Sequence, residues 1–224
     1  MTTELASTDV KLLIFDLDGT LIDSSSDIAN SVNVARKSLG LELWPTDQIK
    51  SHLGDGARRL VERCLPESNQ QPDNLDLSVE KALQVFKTHY TDHCAIQTKL
   101  YNGVESTLQK LKLNYQLAVL TNKGKANTVT ILEALKVDSL FKLVVGGDEF
   151  CLKPCTDGIK HIMQALSVDA SSTVMIGDHH TDLEVGRRVG VQTIFCEFGF
   201  GNQGHENATF SIQNFAQLLD LLHK

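Results

Sequence analysis

The stretch Lys11–Asp23, KLLIFDLDGTLID, decides how the rest of the chain is read. Leu12, Leu13, Ile14 and Phe15 form an apolar run of strand length, bulky enough for a buried position. Two carboxylates follow, Asp16 and Asp18, and then Gly19-Thr20. An isolated ion inside a buried strand costs several kcal/mol or more, so both acids belong where the strand ends and a site opens. Side chains alternate along a strand, so Asp16 and Asp18 point one way while Leu17 turns into the core. On its own, the pattern fits either an acidic turn or a metal-assisted nucleophilic site, because a bare pair of spaced aspartates is a short motif.

The 224-residue chain is long enough for one good core and a small second module. A hydrophobic fraction of 42% and a net charge of -7 describe an ordinary globular protein with no cationic face for nucleic acid. No run of 18 apolar residues exists, so no membrane partner is expected, and the first residues lack the pattern of a secretory leader. Five cysteines at irregular spacing do not read as a disulfide framework, and Cys151 and Cys155 lack redox-pair spacing. A reduced, cytoplasmic protein is the expectation, as a monomer or homodimer.

Outward from the opening strand, Ser24, Ser25, Ser26 and Asp27 form a run of helix-capping residues. Ile28, Val32, Ala35 and Leu39 then mark a helical stripe ending at Gly40. Thr46 can cap a short helix bearing Ile49 and Leu53, which stops in Gly54-Asp55-Gly56. A third helix sets Ala57, Leu60, Val61 and Cys64 against Arg58, Arg59, Glu62 and Arg63. Residues 66–76 read as a polar loop, and Ser78 can cap a fourth helix with Val79, Leu83, Phe86 and Tyr90. The second half alternates: strands at Gln116–Leu120, Leu143–Val145, Thr173–Ile176 and Gln192–Cys196 separate helical patterns, the last helix starting at Asn214. That alternation predicts an α/β fold, a Rossmann-like parallel sheet flanked by helices, with a small all-helical cap inserted after the first strand. Residues 1–22 and 99–224 form the core and 23–98 the cap.

Ligands of open parallel sheets bind at the carboxyl ends of strands. Asp16/Asp18, Thr121/Asn122, Lys153 and Asp178/Asp182 all fall at or just beyond such ends, which decides for a site. Asp16, Asp178 and Asp182 make an acidic nest suited to Mg²⁺. Lys153, the Thr121 hydroxyl and backbone N–H groups near Asn122 suit phosphoryl oxygens. One carboxylate can attack phosphorus and the other can move the leaving-group proton.

With these motifs in order, the sequence resembles the haloacid dehalogenase-like superfamily of phosphohydrolases over nearly its whole length. The first motif is Asp16-Leu17-Asp18-Gly19-Thr20, the second Thr121-Asn122, the third Lys153-Pro154, the fourth Gly177-Asp178 with Asp182. The helical insert resembles the small C1-type cap of the phosphoglycolate phosphatase branch. The resemblance implies Asp16 as nucleophile and metal ligand, Asp18 as general acid/base with its carbonyl on Mg²⁺, and Asp178 as metal ligand. It implies Thr121, Asn122 and Lys153 on phosphate and Asp182 in support of the metal or the lysine. Dehalogenases of this superfamily lack the second acid, so Asp18 favours phosphoryl transfer. His179 stands where relatives generally carry Ser, and Cys155-Thr156 replaces a polar residue and proline; neither removes a catalytic group.

Elsewhere the bland reading competes with a functional one. Gly54 and Gly56 read as a loop that closes over the site, or as a simple turn. Arg58 and Arg59 meet a substrate anion, or lie on a solvated helix face. His179 and His180 read as metal ligands or, better for one of them because hard Mg²⁺ prefers oxygen, as a loop donor; Lys123 reads as a pocket residue or a strand-exit cap, and Trp44, Phe198 and Phe200 as packing and loop anchoring. The function expected is Mg²⁺-dependent hydrolysis of a small phosphorylated metabolite, 2-phosphoglycolate above others, through an aspartyl-phosphate on Asp16. The alternatives are a sugar-phosphate mutase, a phosphatase for sugar phosphates, nucleotides or pyrophosphate, and a non-catalytic phospho-acceptor module.

Overall fold

The computed structural model describes residues 9–65 and 72–222. β1 (Leu12–Phe15) is buried throughout, and its side chains divide between two cores. Leu13, Phe15 and Leu17 enter the larger cluster with Leu117, Val119 and Phe215, while Leu12 and Ile14 pack with Ala118, Ile159 and Ile162 on the opposite face. A strand covered on both faces must be apolar at every position, hence a continuous run rather than an alternating one. Fully burying each of these side chains contributes about 1.5–3 kcal/mol.

The chain then makes a two-residue strand, β2 (Ile22–Asp23), and enters four helices: α1 (Ser25–Ser38), α2 (Thr46–Lys50), α3 (Ala57–Arg63) and α4 (Pro72–His93). It returns through β3 (Lys99–Leu100), which pairs antiparallel with β2. Alternation follows with α5 (Val104–Leu111), β4 (Gln116–Leu120), α6 (Lys125–Ala134), β5 (Leu143–Val145), α7 (Asp157–Leu166), β6 (Thr173–Gly177), α8 (His180–Val189) and β7 (Gln192–Cys196). β8 (Phe210–Ile212) and α9 (Gln217–Leu221) close the chain. The main sheet runs β5-β4-β1-β6-β7-β8 and every pairing in it is parallel. β1 lies between β4 and β6, so the connections leave to opposite sides there and open a crevice at its carboxyl end. No helix among the described residues is long and apolar enough to cross a membrane.

The inserted helices hold together by their own contacts, α1 against α2 and α4, and α3 against α4. Arg36 on α1 stacks 4.1 Å over the Trp44 ring and donates to the Glu42 carbonyl, 2.8 Å, and to the Cys64 carbonyl. At the base of the insert, buried Asp27 accepts from the backbone N–H of Gln97 and Thr98, each at 2.9 Å through Oδ2, and from the Thr98 hydroxyl at 2.8 Å. Asp27 therefore clamps the returning chain next to β3 rather than capping α1.

Several local expectations change. α4 begins at Pro72, ahead of Ser78, consistent with the tolerance of the first helical turn for proline. The expected loop thus shrinks, and 66–71 lie outside the described residues. Thr46 is the first residue of α2, and no side chain caps that helix. The last helix starts at Gln217, where Gln217 Oε1 accepts from the backbone N–H of Gln213 at 2.7 Å. β2, β3 and β8 span two or three residues each, too few for periodicity to register.

Candidate active site

Asp16 follows β1 directly and is 8% exposed, with Lys153 Nζ 2.8 Å from its Oδ1. This buried oxygen has that ammonium as its ion-pair neighbour and no other polar partner. Burial pushes the Asp16 carboxyl up to about 6; Lys153 pulls it down and the charge of Asp182 adds to the rise. Lys153 Nζ also donates to Asp182 Oδ1 at 2.6 Å and to the Leu120 carbonyl at 3.0 Å. Burial works against its charge, but Asp16 and Asp182 more than offset that and hold the ammonium protonated above its usual range.

Asp178 comes from the end of β6. Its Oδ2 accepts from the backbone N–H of Phe200 at 3.0 Å and Gly201 at 2.7 Å, and its Oδ1 from the Thr20 hydroxyl at 3.3 Å. Burial, then the charges of Asp16 and Asp182, drive its carboxyl well above the normal value. Gly19 makes the approach possible: it turns at φ +86, and a Cβ there would lie 2.0 Å from Asp178 Oδ2. Asp182 uses both oxygens, Oδ1 for Lys153 and Oδ2 for the His179 N–H at 3.1 Å.

Oxygen atoms of Asp16, Asp178 and Asp182 lie within 4.8 Å of one another, all buried, with one ammonium among them. Three buried carboxylates with one lysine leave uncompensated negative charge, and Asp16 Oδ1 has no polar partner besides Lys153. An all-oxygen donor set with a surplus of negative charge fits a hard divalent cation. Asp16 and Asp178 have oxygens to offer it, whereas Asp182 is committed to Lys153 and the start of α8.

This charge excess sets a stability prediction. A carboxyl raised by burial stabilises the fold fully below its unfolded value, 3.8, and loses that contribution as pH rises through the raised folded value. Near pH 7 without metal, Asp178 is therefore a destabilising group. Asp178→Asn keeps an oxygen for the Phe200 and Gly201 N–H groups and removes the charge. Metal-free Asp178→Asn is expected to melt roughly 2–6 °C above the parent in scanning calorimetry, and to lose the rise in Tm expected of the parent on adding a divalent cation.

Asp18 has a separate environment. Ser24 Oγ donates to its Oδ1, and Lys123 Nζ lies 2.9 Å from the same oxygen. Ser24 occupies the N-cap position of α1 without a side-chain capping bond because its hydroxyl serves Asp18 instead. Lys123 Nζ also donates to the hydroxyl of Tyr90 on α4 and sits 4.6 Å from that ring's centroid. Burial opposes the Lys123 charge, but Asp18 and Tyr90 raise its basicity above the ordinary value. Burial likewise pushes the Tyr90 hydroxyl up to about 12. Of the two readings of Lys123, the structure selects the pocket residue. Ser24 and Tyr90 gave no sequence signal beyond a cap and a helical apolar stripe.

Thr121, after β4, is buried, and its Oγ1 accepts from the Lys123 N–H at 3.2 Å. Asn122 joins three segments: its Oδ1 accepts from the Lys153 N–H at 2.7 Å, and its Nδ2 donates to the carbonyls of Lys153 and Gly54, each at 3.3 Å. Gly54 turns at φ +118, and a Cβ on it would fall 2.6 Å from the His179 ring. The Gly54 loop is thereby seated on the sheet's carboxyl edge. His179 is buried there and caps α8, Thr181 N–H donating to its Nδ1 at 3.5 Å.

A cleft of about 640 Å³ opens between the strand ends and the inserted helices, reaching from Asp16, Asp18 and Asp178 to Leu60, Leu83 and Phe86. Gly54, Gly56 and Arg58 line it, as do Thr121, Asn122 and Lys123. Arg58 is held by Glu62, 3.4 Å, and by Glu80; Arg59 pairs with Glu62 at 2.9 Å and is exposed, away from the cleft. Phe200, expected to pack and anchor its loop, also lines the cleft and supplies its N–H to Asp178. Against expectation, Cys151 and Cys155 form a disulfide around Lys153. The turn there, closed by the Cys155 N–H on the Leu152 carbonyl at 2.9 Å, brings their Cα atoms to 5.8 Å, within disulfide reach.

A parallel sheet with this crevice, an acidic nest at β1 and β6 and a lysine between them place a charged ligand site at the carboxyl edge of the sheet. Residues 13–196 match the model of the haloacid dehalogenase-like hydrolases, and the chain belongs to that family. Within it the chain groups with the phosphoglycolate phosphatase-like branch. It is 34% identical over 215 residues to the phosphoglycolate phosphatase of Chromobacterium violaceum, covering 95% of this chain and 96% of that one. It is 36% identical to the phosphoglycolate phosphatase of Colwellia psychrerythraea over 88% of each chain. A crystal structure of a predicted phosphoglycolate phosphatase from Haemophilus somnus superposes with a TM-score of 0.86 at 26% identity, covering 96% of this chain and 99% of the other.

Proposed function

We propose that the protein is a Mg²⁺-dependent phosphatase of small phosphomonoesters, acting through an aspartyl-phosphate on Asp16, with 2-phosphoglycolate as its substrate. The observation that carries this reading is the division of labour between two acids two residues apart: Asp16 faces Lys153 and the acidic nest, while Asp18 is set apart by Lys123 and Ser24. Asp16, Asp178 and the Asp18 backbone carbonyl are the groups that would hold the ion. When bound, Mg²⁺ supplies positive charge that neutralises a phosphoryl group approaching three carboxylates.

The chain's own residues do the rest. The Lys153 ammonium, the Thr121 hydroxyl and backbone N–H groups near Asn122 bind phosphoryl oxygens and orient phosphorus toward an Asp16 oxygen. Asp16 attacks, the ester oxygen leaves, and Asp18 gives that oxygen its proton. Asp18 then takes a proton from the water that attacks the phospho-Asp16, returning both acids to their starting states. Asp182 keeps Lys153 aimed. The inserted helices act as a cap that excludes water during transfer, with Gly54 at its contact with Asn122.

The names of the relatives support 2-phosphoglycolate. Arg58 reaches the cleft already matched by Glu62 and Glu80, so a substrate carboxylate must draw it from those partners. The cleft's apolar wall of Leu60, Leu83 and Phe86 also admits larger bodies. The test is phosphate release across a panel of phosphoglycolate, sugar phosphates, nucleotides and pyrophosphate, with Mg²⁺ or with chelator. Mg²⁺-dependent release with phosphoglycolate giving the highest kcat/KM is expected. Isomer formation without net release would indicate a mutase, and no turnover of any ester would favour the binding-module reading.

Lys123 gives a narrower check. Lys123→Met removes the ammonium that holds Asp18 in its proton-transfer position. It is expected to lower kcat about tenfold to a hundredfold while leaving Mg²⁺ affinity near the parent's, in steady-state assays against Mg²⁺ titrations.

A further inference from the structure

Asp55, His179 and His180 present one ligand atom each within 4.8 Å of one another, outside the carboxylate nest. Asp55 comes from the loop between α2 and α3, whereas the histidines start α8 in the sheet's crossover, so the cluster spans insert and core. Each residue is already turned toward the common point. Arg63 holds Asp55 Oδ2 at 2.7 Å and leaves Oδ1 facing His180 Nε2 at 3.8 Å. The His179 and His180 rings lie 4.2 Å apart, centroid to centroid. His179 Nδ1 lies 3.1 Å from the Thr181 hydroxyl, so on binding a cation at Nε2, the nitrogen next to the Gly54 loop, the ring takes the tautomer in which Nδ1–H donates to that hydroxyl and gives up the long 3.5 Å capping bond from the Thr181 N–H. Metal-ligating histidines usually donate their other ring nitrogen in this way.

We propose that Asp55, His179 and His180 form a second cation site, for a borderline transition metal such as Zn²⁺, which straps the inserted helices to the core and slows turnover. Two imidazoles and one carboxylate are a donor set that Zn²⁺ accepts and Mg²⁺ does not favour. Tetrahedral Zn²⁺ with nitrogen and oxygen ligands spaces its donors about 3.3 Å apart, so modest closure of the cluster suffices. The start of α8 carries partial positive charge, which Asp55 and the capping Asp182 offset. None of the three residues is needed to hold the phosphoryl group, and the strap acts by resisting the opening that product release requires.

The experiment uses the full chain and the metals alone. Zn²⁺ is titrated calorimetrically into parent, His180→Asn and Asp55→Asn, and Co²⁺ absorption is recorded on these and on Asp178→Asn with saturating Mg²⁺. His180 and Asp55 do not line the cleft, so both variants are expected to keep Mg²⁺-supported turnover within about twofold. The parent should bind one more equivalent of Zn²⁺ than either variant and show an intense tetrahedral Co²⁺ band that both variants lack and Asp178→Asn retains. Zn²⁺ inhibition at saturating Mg²⁺ should weaken at least tenfold in both variants. Equal stoichiometry, equal spectra and equal inhibition in all three proteins would overturn the proposal and leave the carboxylate nest as the place where Zn²⁺ acts. An extra equivalent that both variants lose without any change in inhibition would keep the site and overturn the strap.

Discussion

Asp16→Asn is expected to lower phosphatase turnover by on the order of 10⁴-fold or more, while the protein stays folded. The carboxylate is the group that attacks, and an amide oxygen neither attacks phosphorus at a useful rate nor adds negative charge for the cation. Folding should not suffer. Burial already disfavours the ionised Asp16, whose carboxyl is pushed up to about 6, so removing the charge relieves the metal-free protein near neutral pH. Asp18→Asn should behave differently. Removing the proton donor costs about 10²–10⁴-fold on alkyl phosphates, whose leaving oxygen needs the proton, and far less on aryl phosphates with good leaving groups. Rates across such an ester series, measured beside thermal unfolding, separate the two acids. Turnover of a folded Asp16→Asn protein within tenfold of the parent would exclude Asp16 as nucleophile.

Lys153→Met has the largest expected effect on stability. The ammonium is the shared partner of Asp16 and Asp182 and donates to the Leu120 carbonyl. Methionine fills the same volume but leaves three buried carboxylates with no cation among them. Breaking a buried pair in this way costs about 3–5 kcal/mol, and the phosphoryl oxygens lose their charged donor, so turnover should drop on the order of 10³-fold. Adding Mg²⁺ should recover part of the stability by supplying positive charge to the nest, but not the turnover. Denaturant unfolding with and without Mg²⁺, alongside steady-state rates, reads both halves. Unchanged stability in the metal-free variant would contradict the buried-charge account.

Much of this was legible in the chain itself, for identifiable reasons. β1 announces itself because a strand covered on both faces must be apolar throughout, and Asp16 marks its end because an unpaired acid cannot lie inside it. Strand ends β4 and β6 were readable from the same rule, bringing Thr121, Asn122 and Asp178 into view. Contacts that depend on closure in three dimensions were not readable. Asp27 looks like one more capping residue until Gln97 and Thr98, seventy residues away along the chain, return to it. Ser24 and Tyr90 show no chemistry until Lys123 and Asp18 meet them. The Cys151–Cys155 bridge depends on a turn whose tightness no spacing rule captures. β8 contributes a whole edge strand from three residues whose pattern is indistinguishable from loop.

The direct test of the central claim is a single-turnover reaction of the Mg²⁺-loaded protein with a radiolabelled phosphomonoester, quenched in acid and mapped by peptide. Label on the peptide carrying Asp16, absent from Asp16→Asn and accumulating in Asp18→Asn when an aryl ester is the donor, is the predicted result. Turnover proceeding with no protein-bound label in either the parent or Asp18→Asn, or label mapped to another residue, would contradict it.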